Sequence, residues 1–182
     1  MKLCACFGTT CELAGATVAR MQAAQQARPW HERVTADTPF GTLGGVRTSD
    51  LRSQVAPTYD GPAARLFIAG TPISCSTDVG ERLRHAVEAE WEEAVACLKE
   101  LDGPFAAVMW HDALRRLTIV TDILGMQPLY FHRQPGTFAI RDDQDAFRIL
   151  HEPVGETRLE RGEGSSCEAA PEGSRRGVLA VR

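Results

Sequence analysis

The stretch Thr121–Phe131, "TDILGMQPLYF", decides how this chain is read. Asp122, Gly125 and Pro128 interrupt an otherwise apolar run, and Tyr130 with Phe131 restarts it. Glycine tolerates a positive φ and proline fixes its own φ, so the stretch reads as a bend between strands. Upstream of it, "PFAAVMW" (104–110) and "RRLTIVT" (115–121) flank "HDAL", the pattern of a β-hairpin. Their apolar residues fall on both alternating faces, which predicts a sheet covered on both sides. Downstream, "PLYF" (128–131) and "TFAI" (137–140) predict two shorter strands across "HRQPG", followed by a short helix from Asp142 to Leu150.

Working towards the N-terminus, Val79, Leu83, Val87, Trp91, Val95 and Leu98 recur at steps of four and three. This predicts one long helix from Val79 to Leu101, with Asp78 as its N-cap and Glu81, Arg84, Glu88 and Glu92 on the solvated face. Short strands are expected at Thr42–Arg47 and Arg65–Ala69, and a buried strand at Leu3–Phe7. Thr9-Thr10-Cys11-Glu12 has the form of a capping box. It opens a helix to about Arg28 whose weak apolar stripe is Leu13, Thr17, Met21 and Ala24, with Pro29 as its stop.

With 182 residues, of which 43% are hydrophobic and 24% charged, the chain can build one ordinary core. A net charge of −4 provides no basic field for nucleic acid or acidic lipid. No apolar run approaches the about 18 residues of a membrane span, and "MKLCACFG" lacks a secretion-signal core. A cytoplasmic chain with six reduced cysteines is therefore expected. No Cys-x-x-Cys or Cys/His zinc spacing occurs, and His31, His85, His111, His132 and His151 are scattered, so neither a metal nor another cofactor is expected. The domain is expected over 1–151. Residues 152–182, dominated by "GETRLERGEGSSCEAAPEGSRRG", are expected to be a disordered tail.

"LDGPFAAVMWHD", "TDILGMQPLYF" and "TFAI" resemble the N-terminal glutaminase domain of the asparagine synthetase family. That family writes them as L-x-G-x-F-A-x-x-x-x-D, R-D-x-x-G-x-x-P-L-Y-Y and F-A-S-E. Gly103, Phe105, Asp122, Gly125, Pro128, Leu129 and Tyr130 match in order and spacing, and Asp112 follows in order, one residue beyond the family position. More loosely, "CACFG" is similar to C-G-I-x-G, "LGGVRT" to L-x-H-x-R-L and "AGTPIS" to N-G-E-I-Y-N. The resemblance implies an α+β fold, a four-layer αββα sandwich of two antiparallel sheets, with the bend facing a partner synthetase domain.

It also implies a chemistry. In such Ntn hydrolases an N-terminal Cys attacks the glutamine side-chain amide, its own α-amine serves as base, and a thioester forms. The matching nucleophile is Cys4, but Met1, Lys2 and Leu3 precede it, and Lys2 protects Met1 from aminopeptidase removal. Cys4 is a nucleophile only if processing makes it the first residue. The family's oxyanion Asn aligns with Ala69, which has no side-chain donor, leaving the backbone of Gly70. Removing one such donor typically costs about 10²–10³ in rate. The acidic residue of that motif aligns with Thr71. Arg47 aligns with the Arg that grips the glutamine carboxylate, and Asp78 is the one candidate for the family's remaining acidic residue.

Several losses on one site imply a domain inactive on glutamine. As in β-lactam synthetases and lasso-peptide cyclases, it would then persist as a scaffold against an adenylating synthetase domain or subunit. That domain's S-G-G-x-D-S loop does not occur in this chain. The alternatives are an active glutaminase, processed to Cys4 and passing ammonia from glutamine to a partner, and a truncated gene fragment.

Overall fold

The computed structural model describes residues 1–8, 11–48, 58–74, 78–122, 124–134, 137–142 and 178–181. Two five-stranded antiparallel sheets stack face to face. The first comprises β1 (Lys2–Gly8), β2 (His31–Thr38), β3 (Gly41–Thr48), β8 (Tyr130–Gln134) and β9 (Thr137–Arg141), in the order β2-β3-β1-β9-β8. The second comprises β4 (Thr58–Asp60), β5 (Ala64–Gly70), β6 (Phe105–His111), β7 (Arg116–Thr121) and β10 (Val178–Val181), in the order β10-β7-β6-β5-β4. Helix α1 (Cys11–Gln25) covers the first sheet; α2 (Val79–Glu88) and α3 (Trp91–Lys99) cover the second.

Side-chain alternation builds the layers. Leu3, Ala5 and Phe7 of β1 pack with Phe67, Ala69, Val108, Trp110, Leu117 and Ile119 in the core between the sheets. Cys4 and Cys6 face the other way, beneath Ala14, Val18 and Met21 of α1. Leu66, Ile68, Ala107 and Met109 meet Leu83, Val87, Val95 and Leu98 on the far side of the second sheet. Every residue of β6 is buried, as a strand covered on both faces must be. This is the expected four-layer sandwich.

The two helical regions differ from the sequence-based expectation. The single helix expected over Val79–Leu101 is broken at Ala89 and Glu90, whose ψ angles of 163° and 156° are extended. Neither residue is a helix breaker, so tertiary contacts set the break. The Val87 carbonyl accepts a hydrogen bond from Ala63 N–H in the β4–β5 turn. Trp91 donates its Nε1–H to Thr118 Oγ1 on β7 at 2.9 Å, which fixes where the second helix begins. Asp78 caps α2 as expected, its Oδ1 accepting from Glu81 N–H at 2.9 Å.

In α1 the buried stripe is Ala14, Val18, Met21, Gln22 and Gln25; it keeps the expected Met21 but takes Ala14, Val18 and Gln25, each one position on from the expected Leu13, Thr17 and Ala24. Leu13 is 58% exposed. Polar Gln22 and Gln25 win burial because their amides bond backbone carbonyls of the sheet. Gln22 Nε2 donates to Val34 O (2.7 Å) and Gly45 O (3.0 Å), and Gln25 Nε2 to Leu3 O (3.1 Å). The helix ends at Gln25, short of the expected Arg28.

Close approach of α1 to the sheet depends on Gly44, where a Cβ would run into Val18 Cγ1 and crowd Gln22 Nε2 and Cys4 Sγ. Gly44→Ala is expected to lower stability by about 1–3 kcal/mol, the usual cost of overpacking, read as a lower urea midpoint with an unchanged slope.

Strands β2 and β4 were not expected from sequence. β2 is an edge strand with little apolar content, and β4 has three residues, too few to show alternation. Thr9 and Thr10 of the expected capping box, and the helix expected after Asp142, lie outside the described residues. So does most of the expected tail. Within it, however, Val178–Val181 is not structureless: it pairs with β7.

Candidate functional site

The bend connects the two sheets. Asp122 organises it from inside: Oδ1 accepts from Leu124 and Met126 N–H, and Oδ2 from Gln127 N–H, each at 3.0 Å. Asp122 is buried, and burial pushes its carboxyl up. The converging backbone N–H groups outweigh this and hold it below its ordinary value. Gly125 takes φ +63°, the left-handed conformation expected of it. Leu124 and Met126 at the tip are 80% and 63% exposed.

Register places the bend and the candidate residues at one end of the sandwich. Phe7 stacks on Trp110 with ring centroids 5.3 Å apart, and Trp110 pairs with Arg65. The end of β1 therefore lies over the start of β5, and the start of β1 lies near the end of β5, at Ala69 and Gly70. Val46 pairs with Lys2, so Arg47 is at the same end. Helix α2 reaches back over the β4–β5 turn, which sets Asp78 there as well. Thr121 pairs with Ala106, next to the Phe105–Gly70 pair, and brings the bend to that end.

Within this end the side chains do not converge. Cys4 is wholly buried under α1, on the face of the first sheet turned away from the second. Burial pushes its thiol up to about 12, against a partial opposing pull from the Arg141 charge. Ala69 is buried in the core between the sheets. Gly70, at φ +88°, packs so tightly on Pro104 that a Cβ would collide with the Pro104 carbonyl. Arg47 is committed to Glu32 on β2, with Nε and NH2 at 2.8 and 2.7 Å from Oε2, both side chains about half exposed. Asp78 spends Oδ1 on the α2 cap.

Leu3 is the residue before Cys4, and it is built into the fold. Its side chain is fully buried, its N–H donates to Asp142 Oδ2 at 2.9 Å, and its carbonyl accepts from Gln25 Nε2 and Asp142 N–H. Gln25 Nε2 also donates to Asp142 Oδ1 at 3.0 Å. Sequence reading missed this cluster of Gln22, Gln25, Arg141 and Asp142. Arg141 is fully buried and donates from NH2 to Met21 O at 3.0 Å. The available signal was the spacing Ala14–Val18–Met21–Gln25, as regular as the stripe one residue earlier.

Burial pushes the Asp142 carboxyl up to about 6, against the Leu3 N–H bond and the Lys2 charge. A carboxyl raised above its unfolded value of 3.8 binds its proton more tightly when folded. It adds stability that is complete below the unfolded value and is lost as pH rises through about 6. The wild type is expected to gain about 2–3 kcal/mol relative to Asp142→Asn between pH 7 and pH 4, measured by paired urea titrations.

Among the described residues no group of His, Cys, Asp or Glu is arranged to hold a metal ion, and no helix is long and apolar enough to cross a membrane.

Two stacked antiparallel sheets between helices, with β1 central in the first, form the architecture of the class II, Ntn-type glutamine amidotransferases. Among solved structures, glutamine phosphoribosylpyrophosphate amidotransferase from B. subtilis, complexed with ADP and GMP, is similar with a TM-score of 0.58 and 12% identity. The match covers 82% of this chain and 43% of that one, so this chain spans less than half of that enzyme's length. Residues 64–148 match the family model of a glutamine amidotransferase domain. By its fold, and by a family match that spans a little under half of its residues, this chain is similar to the class II glutamine amidotransferase domains. No curated protein matches the chain significantly.

Proposed function

We propose that this domain is of the asparagine synthetase type, does not hydrolyse glutamine, and serves as a scaffold that docks on an ATP-dependent, amide-forming synthetase domain or subunit. The observation that carries the reading is Leu3. A glutaminase of this class needs a free amine on its nucleophilic cysteine, and here the residue ahead of Cys4 is a fully buried core residue held by three hydrogen bonds. The remaining geometry agrees. The Cys4 thiol is shifted far from thiolate formation, Ala69 offers no donor, and Arg47 is paired with Glu32. The exposed Leu124 and Met126 at the bend supply apolar contact area at the end where the resemblance puts the synthetase.

One observation favours a second reading, an active glutaminase after processing to Cys4. The register gathers the start of β1, Arg47, Gly70, Asp78 and the bend at a single end of the sandwich. Intact mass before and after a diazoketone analogue of glutamine separates the two. The scaffold reading expects an unprocessed N-terminus and no site-specific adduct. A chain beginning at Cys4 and carrying one stable adduct would establish the glutaminase instead.

A further inference from the structure

Among the described residues the two sheets end in β2, β8, β4 and β10, and the strand beneath β10 differs from the other three edges. β2 carries Glu32, Arg33 and Asp37, β8 carries Arg133, and β4 is three residues long and ends in Asp60. Charges and short length are the usual protection of a sheet edge against pairing with other strands. β7, inside β10, has one charge at its first residue, Arg116, and none over Leu117–Thr121, where Leu117, Thr118, Ile119 and Val120 are 0–6% exposed. Without a neighbour its outer edge would be an open, apolar ladder. Its neighbour is β10, in the register Val178↔Val120, Leu179↔Ile119, Ala180↔Thr118 and Val181↔Leu117. Leu179 and Val181 thus stand beside Ile119 and Leu117, two residues of the core between the sheets.

We propose that the edge of β7 is a strand-exchange site. Its ligand is the short apolar segment Val178–Val181, held in cis, and the vacated edge accepts the same segment in trans from a second copy of the chain. The pairing has the properties exchange requires. The ladder has four residues and one partner strand, so it is held by a few backbone hydrogen bonds worth about 1 kcal/mol each. The segment is separated in sequence from β9 by a long, mainly polar stretch, enough chain length to reach a second copy. In sequence it is flanked by Arg175, Arg176 and Arg182, charges that keep a released apolar strand soluble.

The test uses a fluorescent peptide of residues 174–182, titrated against the full chain and against a chain ending at residue 170. The shortened chain is expected to bind saturably and the full chain at least tenfold more weakly, because its site is filled in cis. The same peptide with Ala180→Pro, which removes a ladder donor, is expected not to bind. Equal binding to both chains, or no binding to a shortened chain with native circular dichroism, would overturn the proposal. If the shortened chain does not fold, the full chain carrying Ala180→Pro decides. Amide exchange across 117–121 should accelerate at least tenfold, and unchanged exchange there would refute it.

Discussion

A chain that begins at Cys4 is expected to be about 3–5 kcal/mol less stable than one that begins at Met1, with a melting temperature about 6–20 °C lower. The loss has two parts. Leu3 is fully buried between the sheets, and truncating a core leucine costs about 2–5 kcal/mol. Its N–H and C=O are bonded to Asp142 and Gln25, so removal also leaves a buried carboxylate with fewer donors. A cleavable fusion that leaves Cys4 first provides the shortened chain, and Leu3→Ala isolates the packing part. Melting of the shortened chain within about 2 °C of the full one would show that β1 does not depend on Leu3. It would also remove the main support for an inactive domain.

Asp122→Ala is expected to cost about 2–4 kcal/mol. A hydrogen bond to a charged group contributes about 1.5–3 kcal/mol, and three backbone N–H groups converge on this carboxylate. Water can reach Leu124 and Met126 and replace part of that, which keeps the sum below the arithmetic total. The effect has a sign in pH. The folded carboxyl is held below its unfolded value of 3.8, so its contribution is present above that value and is lost as pH falls through the folded one. The gap between wild type and Asp122→Ala should therefore be constant near neutrality and shrink in acid. A gap that does not change with pH would mean the carboxylate is not the anchor.

The same residue shows what the sequence could convey. Asp122, Gly125 and Pro128 mark the bend because such a reversal needs a local acceptor, a left-handed position and a fixed φ, each met by few residue types. The β6–β7 hairpin was equally legible, since its strands are apolar on both faces and its turn is short. The break between α2 and α3 was not, because nothing at Ala89–Glu90 disfavours a helix; the cause is Trp91 reaching Thr118 on a distant strand. Likewise Gln22 and Gln25 look solvated until their backbone partners are in place. Of the candidate site, the sequence offered residues only by their resemblance to those of a glutaminase. It could not indicate that Cys4 and Ala69 would face different layers, which depends on how strand alternation meets the stacking of the sheets.

Helix α1 is addressed to main-chain atoms. Gln22 reads the carbonyls of Val34 and Gly45, and Gln25 that of Leu3. Main-chain carbonyls are the same whatever side chain follows them. Away from Gly44, the strands beneath the helix can therefore exchange one small residue for another over generations while the helix keeps its seat. An architecture docked in this way depends little on which side chains the strands beneath it carry elsewhere.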